Sequence, residues 1–477
     1  MLTMTPAEKP VVASKKRGAV ARDVPPERPP NAIPSYAPAT RRYRSPWLDA
    51  LLLVIALAEM LALFPHSLNG DAAARYAALA QLLEGHGLSS ARYSLIGPFF
   101  ASPLWLLGKA IGDEQGMVAI YNWFVFAIGL LVLYLLLRHV MDRQVLRTFL
   151  LLLVAASMFP AHTISFYAEM FTAMCVAIGS VLAVFGRKLA ALGGWALAAI
   201  GTANIPASLL GFVGMAVVYA LRQRRLRYLG AVLAAIALIL AEAWIRRGNP
   251  FTTGYANDSG NTTVMPYSGG PGFNYPIFFG VLSLLLSFGK GLIFFTPGLF
   301  LPARRYLLAQ GKDSGPKLYA LYLLWVAFVG GMILVYAHWW AWYGGWFWGP
   351  RFFLFASIPA ALVLAVRLHA RNAGLGANLL TLAALVLSFW VAIDGMVFEQ
   401  HTLSICTAHN YALEFLCHYT PEFSVLWHPF VVFEPLSPAA ILYCATSTGI
   451  FLYLTLPLLV TIARQVSAWL RATTAGY

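Results

Sequence analysis

Charge is scarce in this 477-residue chain: Asp, Glu, Lys and Arg make up 11% of it, where a soluble domain carries about 25%. With 60% hydrophobic residues and a mean hydropathy of +0.69, that shortage excludes a soluble globular protein. Acid is the scarcer sign, at 19 Asp and Glu against 33 Lys and Arg. The formal net charge of +14 does not imply a nucleic-acid partner, because the basic residues are dealt out to alternate loops instead of gathering in a patch. There are four cysteines and no CxxC pair or zinc spacing. Cys175 and Cys444 fall in apolar runs and read as small core residues. No glycine-rich phosphate loop, repeat period or separate soluble domain is visible. A divalent metal stays open without ligand spacing to support it, and no other cofactor is implied.

What is present is a succession of apolar runs of bilayer-spanning length. They predict an all-α polytopic membrane protein of about twelve spans: 48–64, 117–137, 146–158, 168–185, 190–201, 205–221, 228–245, 278–301, 318–337, 353–366, 375–393 and 438–462. Residues 1–46, rich in Pro, Ala, Lys and Arg, read as a disordered basic cytoplasmic arm, and 47–477 as one transmembrane domain. The pair 190–201 and 205–221 is interrupted by Asn204 and Pro206, and the 278–301 run by Ser287-Phe288-Gly289-Lys290-Gly291. Broken helices at membrane depth need buried or solvated backbone. Of the 33 Lys and Arg, only Arg75, Arg92, Lys109, Arg246, Arg247, Lys290 and Arg351 fall in the alternate set of loops. The positive-inside rule therefore places both termini in the cytoplasm and that alternate set outside the cell membrane. Glu59 and Glu242 lie within apolar runs, where an acid is either functional or a partnered structural group.

The outer loop at 65–116 organises the chain. It opens Asn69-Gly70-Asp71-Ala-Ala-Ala-Arg75-Tyr76 and continues through Leu83-Glu84-Gly85 and Tyr93 to Gly97-Pro98 and Pro103. A helix over 72–84 puts Asp71 at its cap, with Arg75 on the same face four residues on. Ala72, Tyr76, Leu79 and Leu83 make one apolar stripe. Asp71 reads equally as a simple N-cap and as a carboxylate held at the membrane boundary. Among the other outer acids, Glu169 opens the 168–185 span, where it also suits the helix dipole.

Gly-Asp, an Arg-Tyr one turn later, the "ALAQLLEGHG" helix end and the Pro-containing apolar segment resemble the first extracytoplasmic loop of C-type glycosyltransferases. These membrane enzymes take sugars from polyprenyl-phosphate donors, and they include protein mannosyltransferases and lipid A aminoarabinose transferases. The resemblance covers about 48–370 and implies that Asp71 is the base and Glu169 a second acid. It implies Arg75 and Tyr76 beside the substrate, and phosphate-binding roles for Lys290 in "SFGKGL" and Arg351 in "WGPRF", for which membrane anchoring is the alternative.

The aromatic run Trp339 to Trp348, with Tyr343 and Trp346 as pocket candidates, suits either sugar stacking or an interfacial girdle. Cys406 and Cys417 share the late outer loop 394–436, where an oxidising compartment permits a disulfide. The outer histidines have no metal-ligand spacing. The implied reaction is inverting transfer of a sugar to a hydroxyl of a glycan, lipid or protein. The rival reading is a multi-span transporter or lipid-linked-sugar flippase, which calls for paired ionisable groups deep in the helices.

Overall fold

The computed structural model describes residues 45–252, 254, 262–270, 272–345, 347–370, 372–398 and 404–474. The arm expected over 1–46 lies almost wholly outside them, as does Trp346. The fold is helical, and the described residues hold two isolated β-bridges and no strand. Its longer helices are α1 (Pro46–Ala62), α2 (Asp71–Leu83), α3 (Ser102–Ile111), α4 (Tyr121–Leu137), α5 (Arg143–Ala155), α6 (Ala168–Phe185) and α7 (Lys188–Asn204). They continue as α8 (Leu209–Gln223), α9 (Gly230–Arg247), α10 (Ile277–Leu286), α11 (Ser314–Tyr336), α12 (Ser357–Leu368), α13 (Leu375–Val397) and α14 (Pro438–Thr474).

Among the described residues, eight helices are long and apolar enough to cross a bilayer: Glu114–Leu137, Ala168–Phe185, Pro206–Gln223, Leu226–Arg247, Ser314–Tyr336, Arg351–Leu368, Leu375–Val397 and Pro438–Thr474. The protein is an integral membrane protein. The four other expected spans are shorter helices, α1, α5, α7 and α10, of 17, 13, 17 and 10 residues. Burial explains one of them, and a chain break another. From Thr148 to Ala155 every α5 residue is buried in the bundle, so this helix is shielded by protein. Beyond α10 the chain breaks over 287–291, and the freed Gly289 N–H donates to the His418 carbonyl at 3.1 Å. Non-helical backbone at this depth is thus hydrogen-bonded within the protein.

Packing follows the small residues. Gly179 of α6 and Gly194 of α7 face one another so closely that a Cβ on Gly179 would lie 2.5 Å from the Gly194 carbonyl oxygen, the close backbone approach that small residues permit between membrane helices. The α7–α8 break turns on Asn204, whose amide donates to the Ala168 carbonyl and the Thr172 hydroxyl while its oxygen accepts from Gly97 N–H. α1 and α14 run antiparallel. Tyr453 donates to Asp49 and Thr446 to Glu59, so partner numbers fall along α14 as they rise along α1. Glu59 sits in the last turn of its helix and is a partnered acid.

Candidate active site

Three connections meet at the end of the bundle where α1 finishes. They are the segment leading into α2, the turn leading into α6, and the aromatic loop leading to Arg351. Cross-links bind them. Ser67 N–H donates to the Ile164 carbonyl at 3.0 Å. The amide of Asn122, fully buried on α4, donates to the carbonyls of His162, Ser165 and Tyr167. Tyr167 immediately precedes the helix that carries Glu169.

Asp71 is the first residue of α2 and does not cap it; Gly70 does, at φ +56°. The expected cap fails because both carboxylate oxygens are used elsewhere. Oδ1 accepts from the Tyr93 hydroxyl at 2.5 Å and Oδ2 from Arg351 at 2.8 Å. Gly70 has a second reason to lack a side chain: a Cβ there would meet the Phe347 ring at 3.4 Å.

Arg351 leaves the aromatic loop and is nearly enclosed, with 10% of its side chain exposed. Its guanidinium lies 4.1 Å over the Phe347 ring and 5.3 Å from that of Tyr167, a favourable cation–π setting. Its Nε is 4.0 Å from the Glu169 carboxylate, which is ion-pair reach without a hydrogen bond. Gly344, at φ +77°, lets the loop fold against this arginine, since a Cβ there would sit 3.3 Å from Arg351 Cγ. Asp71, Arg351 and Glu169 therefore form one row, acid, base, acid. Arg75 extends it from α2, stacked 4.5 Å over the Tyr93 ring.

Tyr93 is held from a distance. Its segment, 89–95, is gripped by the last two turns of α9. Glu242 accepts from the Leu95 N–H and the Ser94 hydroxyl. Arg246 donates to the carbonyls of Ser89, Ala91 and Tyr93, and also to Glu242. Arg247 adds bonds to Ser90 and Ala91. Glu242 is thus a loop clamp at a helix end, not a charge in mid-membrane.

The Asp71 carboxyl is pushed up by burial, but the Arg351 charge, the Tyr93 and Arg351 hydrogen bonds and the Arg75 charge outweigh that. It is held below the ordinary carboxylate range and stays ionised at neutral pH. Each of its oxygens keeps a lone pair beyond the bond it accepts. The group is an oriented, ionised proton acceptor beside two guanidinium groups.

The other residues singled out in the sequence lie elsewhere. Tyr76 packs with Leu79, Leu83 and Trp105 in an apolar cluster beneath α2. Tyr343 is buried against His418, with ring centroids 4.6 Å apart. Lys290 is fully buried, and its ammonium donates to the carbonyls of Gly345, Phe347 and Gly349. All three of its N–H donors are spent on backbone, so the anion-binding reading of Lys290 gives way to a loop clamp. Cys406 and Cys417 are disulfide-bonded, with Cα atoms 5.9 Å apart. Sequence reasoning assigned no role to Tyr93, Asn122 or Asp394. The last is fully buried and accepts from the Trp348 indole at 2.6 Å. A polar residue inside an apolar run was the available signal for Asn122 and Asp394.

Helix arrangement and site together describe a membrane protein with a buried acid–arginine row at one end of its bundle. No family model matches the chain, and no curated protein matches it. Two solved structures are similar to it. The crystal structure of ArnT from Cupriavidus metallidurans bound to undecaprenyl phosphate shares 14% identity at a TM-score of 0.49, over 87% of this chain and 76% of that one. The apo state of the same protein shares 13% at a TM-score of 0.45 over the same fractions. The chemistry of the site rests on this chain's own residues.

Proposed function

We propose that the protein is a glycosyltransferase that moves a sugar from a polyprenyl-phosphate donor to an acceptor hydroxyl, with inversion, at the extracytoplasmic face of the cell membrane. The observation that carries this reading is Asp71 held ionised between Arg351 and Tyr93, with Glu169 across the arginine. The Gly-Asp loop, with its resemblance to C-type glycosyltransferases, supplies the base of that arrangement. Arg138, Arg143, Arg147, Arg222, Arg224, Arg225 and Arg227 fall in the connections, or in the helix ends beside them, at the opposite end of the bundle, which supports a cytoplasmic setting for that end.

In the proposed step the acceptor oxygen attacks the anomeric carbon and its proton passes to Asp71. The bond from that carbon to the phosphate oxygen breaks, and polyprenyl phosphate leaves with the electron pair. Arg351 and Arg75 stabilise the charge that grows on the phosphate, the task to which guanidinium groups are suited. Glu169 orients Arg351 and the acceptor. General-base help of this kind contributes about 10²- to 10⁴-fold. The transporter reading loses ground because Glu59, Glu242 and Asp394 each have a partner near the same end of the bundle.

The test has two stages. Mass spectrometry of surface glycans and lipids from a deletion strain identifies the missing sugar and its acceptor. Purified protein in nanodiscs is then given the matching polyprenyl-phosphate sugar. The reading requires stoichiometric release of polyprenyl phosphate with the glycosylated acceptor; an unaltered envelope and no transfer would overturn it.

A further inference from the structure

Lys290 is out of place as a structural residue. A buried lysine is costly unless its charge is compensated, and an apolar side chain would fill the same space. It lies in the break that follows α10, on a turn fixed from outside by the late loop. Gly289 N–H donates to the His418 carbonyl, and a Cβ on Gly289 would meet the Cys417 carbonyl oxygen at 2.1 Å. That late segment is closed on itself by the Cys406–Cys417 disulfide. From this anchored turn the ammonium reaches the carbonyls of Gly345 and Gly349 at 3.1 and 3.0 Å, and that of Phe347 between them.

These three carbonyls belong to alternate residues of the segment that ends two residues before Arg351. Gly345 and Gly349 have φ of +81° and +61°, so the segment bends back on itself and presents its carbonyls inward. Among its described residues such a turn has no helical or sheet bonds of its own to keep its shape. Its outer side carries Phe347, whose ring lies under the Arg351 guanidinium and against Gly70. We infer that Lys290 is a positioning residue: by binding the carbonyls of Gly345, Phe347 and Gly349 from a turn braced by the disulfide-closed late loop, it sets the backbone that delivers Arg351 to Asp71. The inference rests on the proposed transferase reading for its consequence in catalysis, but not for the geometry it asserts.

Asp71 reports on that geometry. The charged and titratable groups facing it are Tyr93, Arg351 and Arg75, with Glu169 and Tyr167 beyond the arginine. With 3-fluorotyrosine placed at position 93, the ¹⁹F shift titrates with the carboxyl that the hydroxyl contacts. This reading needs no substrate, so its failure is separable from failure of the transferase assignment. Two variants are measured on monodisperse protein, Lys290→Met and Lys290→Arg, the second keeping charge while changing reach. The inference expects both to raise the titration midpoint, Lys290→Met by about one unit, as loss of a close arginine implies. It also expects no further rise when Lys290→Met is combined with Arg351→Gln, because the effect passes through Arg351. If Lys290→Met does not fold, Lys290→Arg carries the test alone. An unmoved midpoint in Lys290→Arg, or an undiminished effect of Lys290→Met in the Arg351→Gln background, would overturn the inference.

Discussion

The molecule contains the same three side chains twice. At one end Asp71 is bound by Arg351 and Tyr93; at the other Asp49 is bound by Arg147 and Tyr453. Both carboxylates take one bond from a guanidinium and one from a phenol. Their settings differ. Asp49, Arg147 and Tyr453 stand on α1, α5 and α14, three packed helices that the cluster ties together. Asp71 stands at the first residue of α2 and is met by Tyr93 from the 89–95 loop and by Arg351 from the end of the aromatic loop, with a second acid at Glu169, a second cation at Arg75 and left-handed glycines that allow the backbone to close around it. Residue types therefore do not separate a structural triad from a chemical one. The separating feature is what brings the partners in: at Asp49 both come from packed helices, whereas at Asp71 they come from loops braced against the bundle, the setting in which the proposed chemistry would be placed.

Substitutions made in pairs test this contrast. The largest difference is expected at the arginines. Arg351→Gln should lower transfer by about 10²- to 10³-fold, the scale for losing one charge stabiliser of a leaving group, and Arg351→Lys should restore only part of it because the planar fork is lost. Arg147→Gln should leave the rate of folded protein unchanged and lower its thermal midpoint in detergent, since breaking a buried pair costs about 3–5 kcal/mol. A catalytic loss in Arg147→Gln would erase the contrast.

Glu169→Gln comes next, with a loss of about tenfold if the group orients Arg351 and the acceptor without taking the proton. The tyrosines give a smaller effect. The pKa of Asp71 is held down in the folded protein, so activity should persist through neutrality and fall only as pH drops below the ordinary carboxylate range. Tyr93→Phe removes one of the bonds that depress it and should move that acid limb of kcat/KM to higher pH. Tyr453→Phe should leave the limb in place and cost about 1 kcal/mol of stability. The least effect on rate is expected from Arg246→Lys, whose shorter reach loosens residues 89–95; faster amide exchange there, with α9 unchanged, is the measurement.

Much of this was legible in the chain. Asp71, Glu169 and Arg351 are singled out by place and by the resemblance, each beside a bland alternative as a cap, a dipole partner or a membrane anchor. Their meeting was not legible: Asp71 and Arg351 are 280 positions apart, and no local period encodes that closure. The same limit hid Tyr93, one aromatic among many until Glu242 and Arg246 grip its loop. Lys290 misled because flanking glycines suggest an anion cradle, whereas here Gly289 admits the late-loop backbone and Gly291 the Ser287 carbonyl. The helix stripe of Ala72, Tyr76, Leu79 and Leu83 was readable from spacing alone and does face protein. Tyr76 belongs to that stripe and not to the row beside Asp71. Span lengths were readable where hydropathy is continuous, and unreadable at α5, where burial in protein substitutes for length, and at α10, where the chain breaks at 287–291.

The central claim is that Asp71 is a base and Asp49 a brace. It is tested most directly by single-turnover transfer from the polyprenyl-phosphate sugar, measured with Asp71→Asn and Asp49→Asn as monodisperse protein in nanodiscs. Asn keeps the size of either side chain and one accepting oxygen, and removes the charge with the second acceptor. The account predicts a loss of two orders of magnitude or more for Asp71→Asn and a wild-type rate for Asp49→Asn, with the thermal midpoint lowered in both because each loses an enclosed ion pair. Wild-type turnover by Asp71→Asn would contradict it.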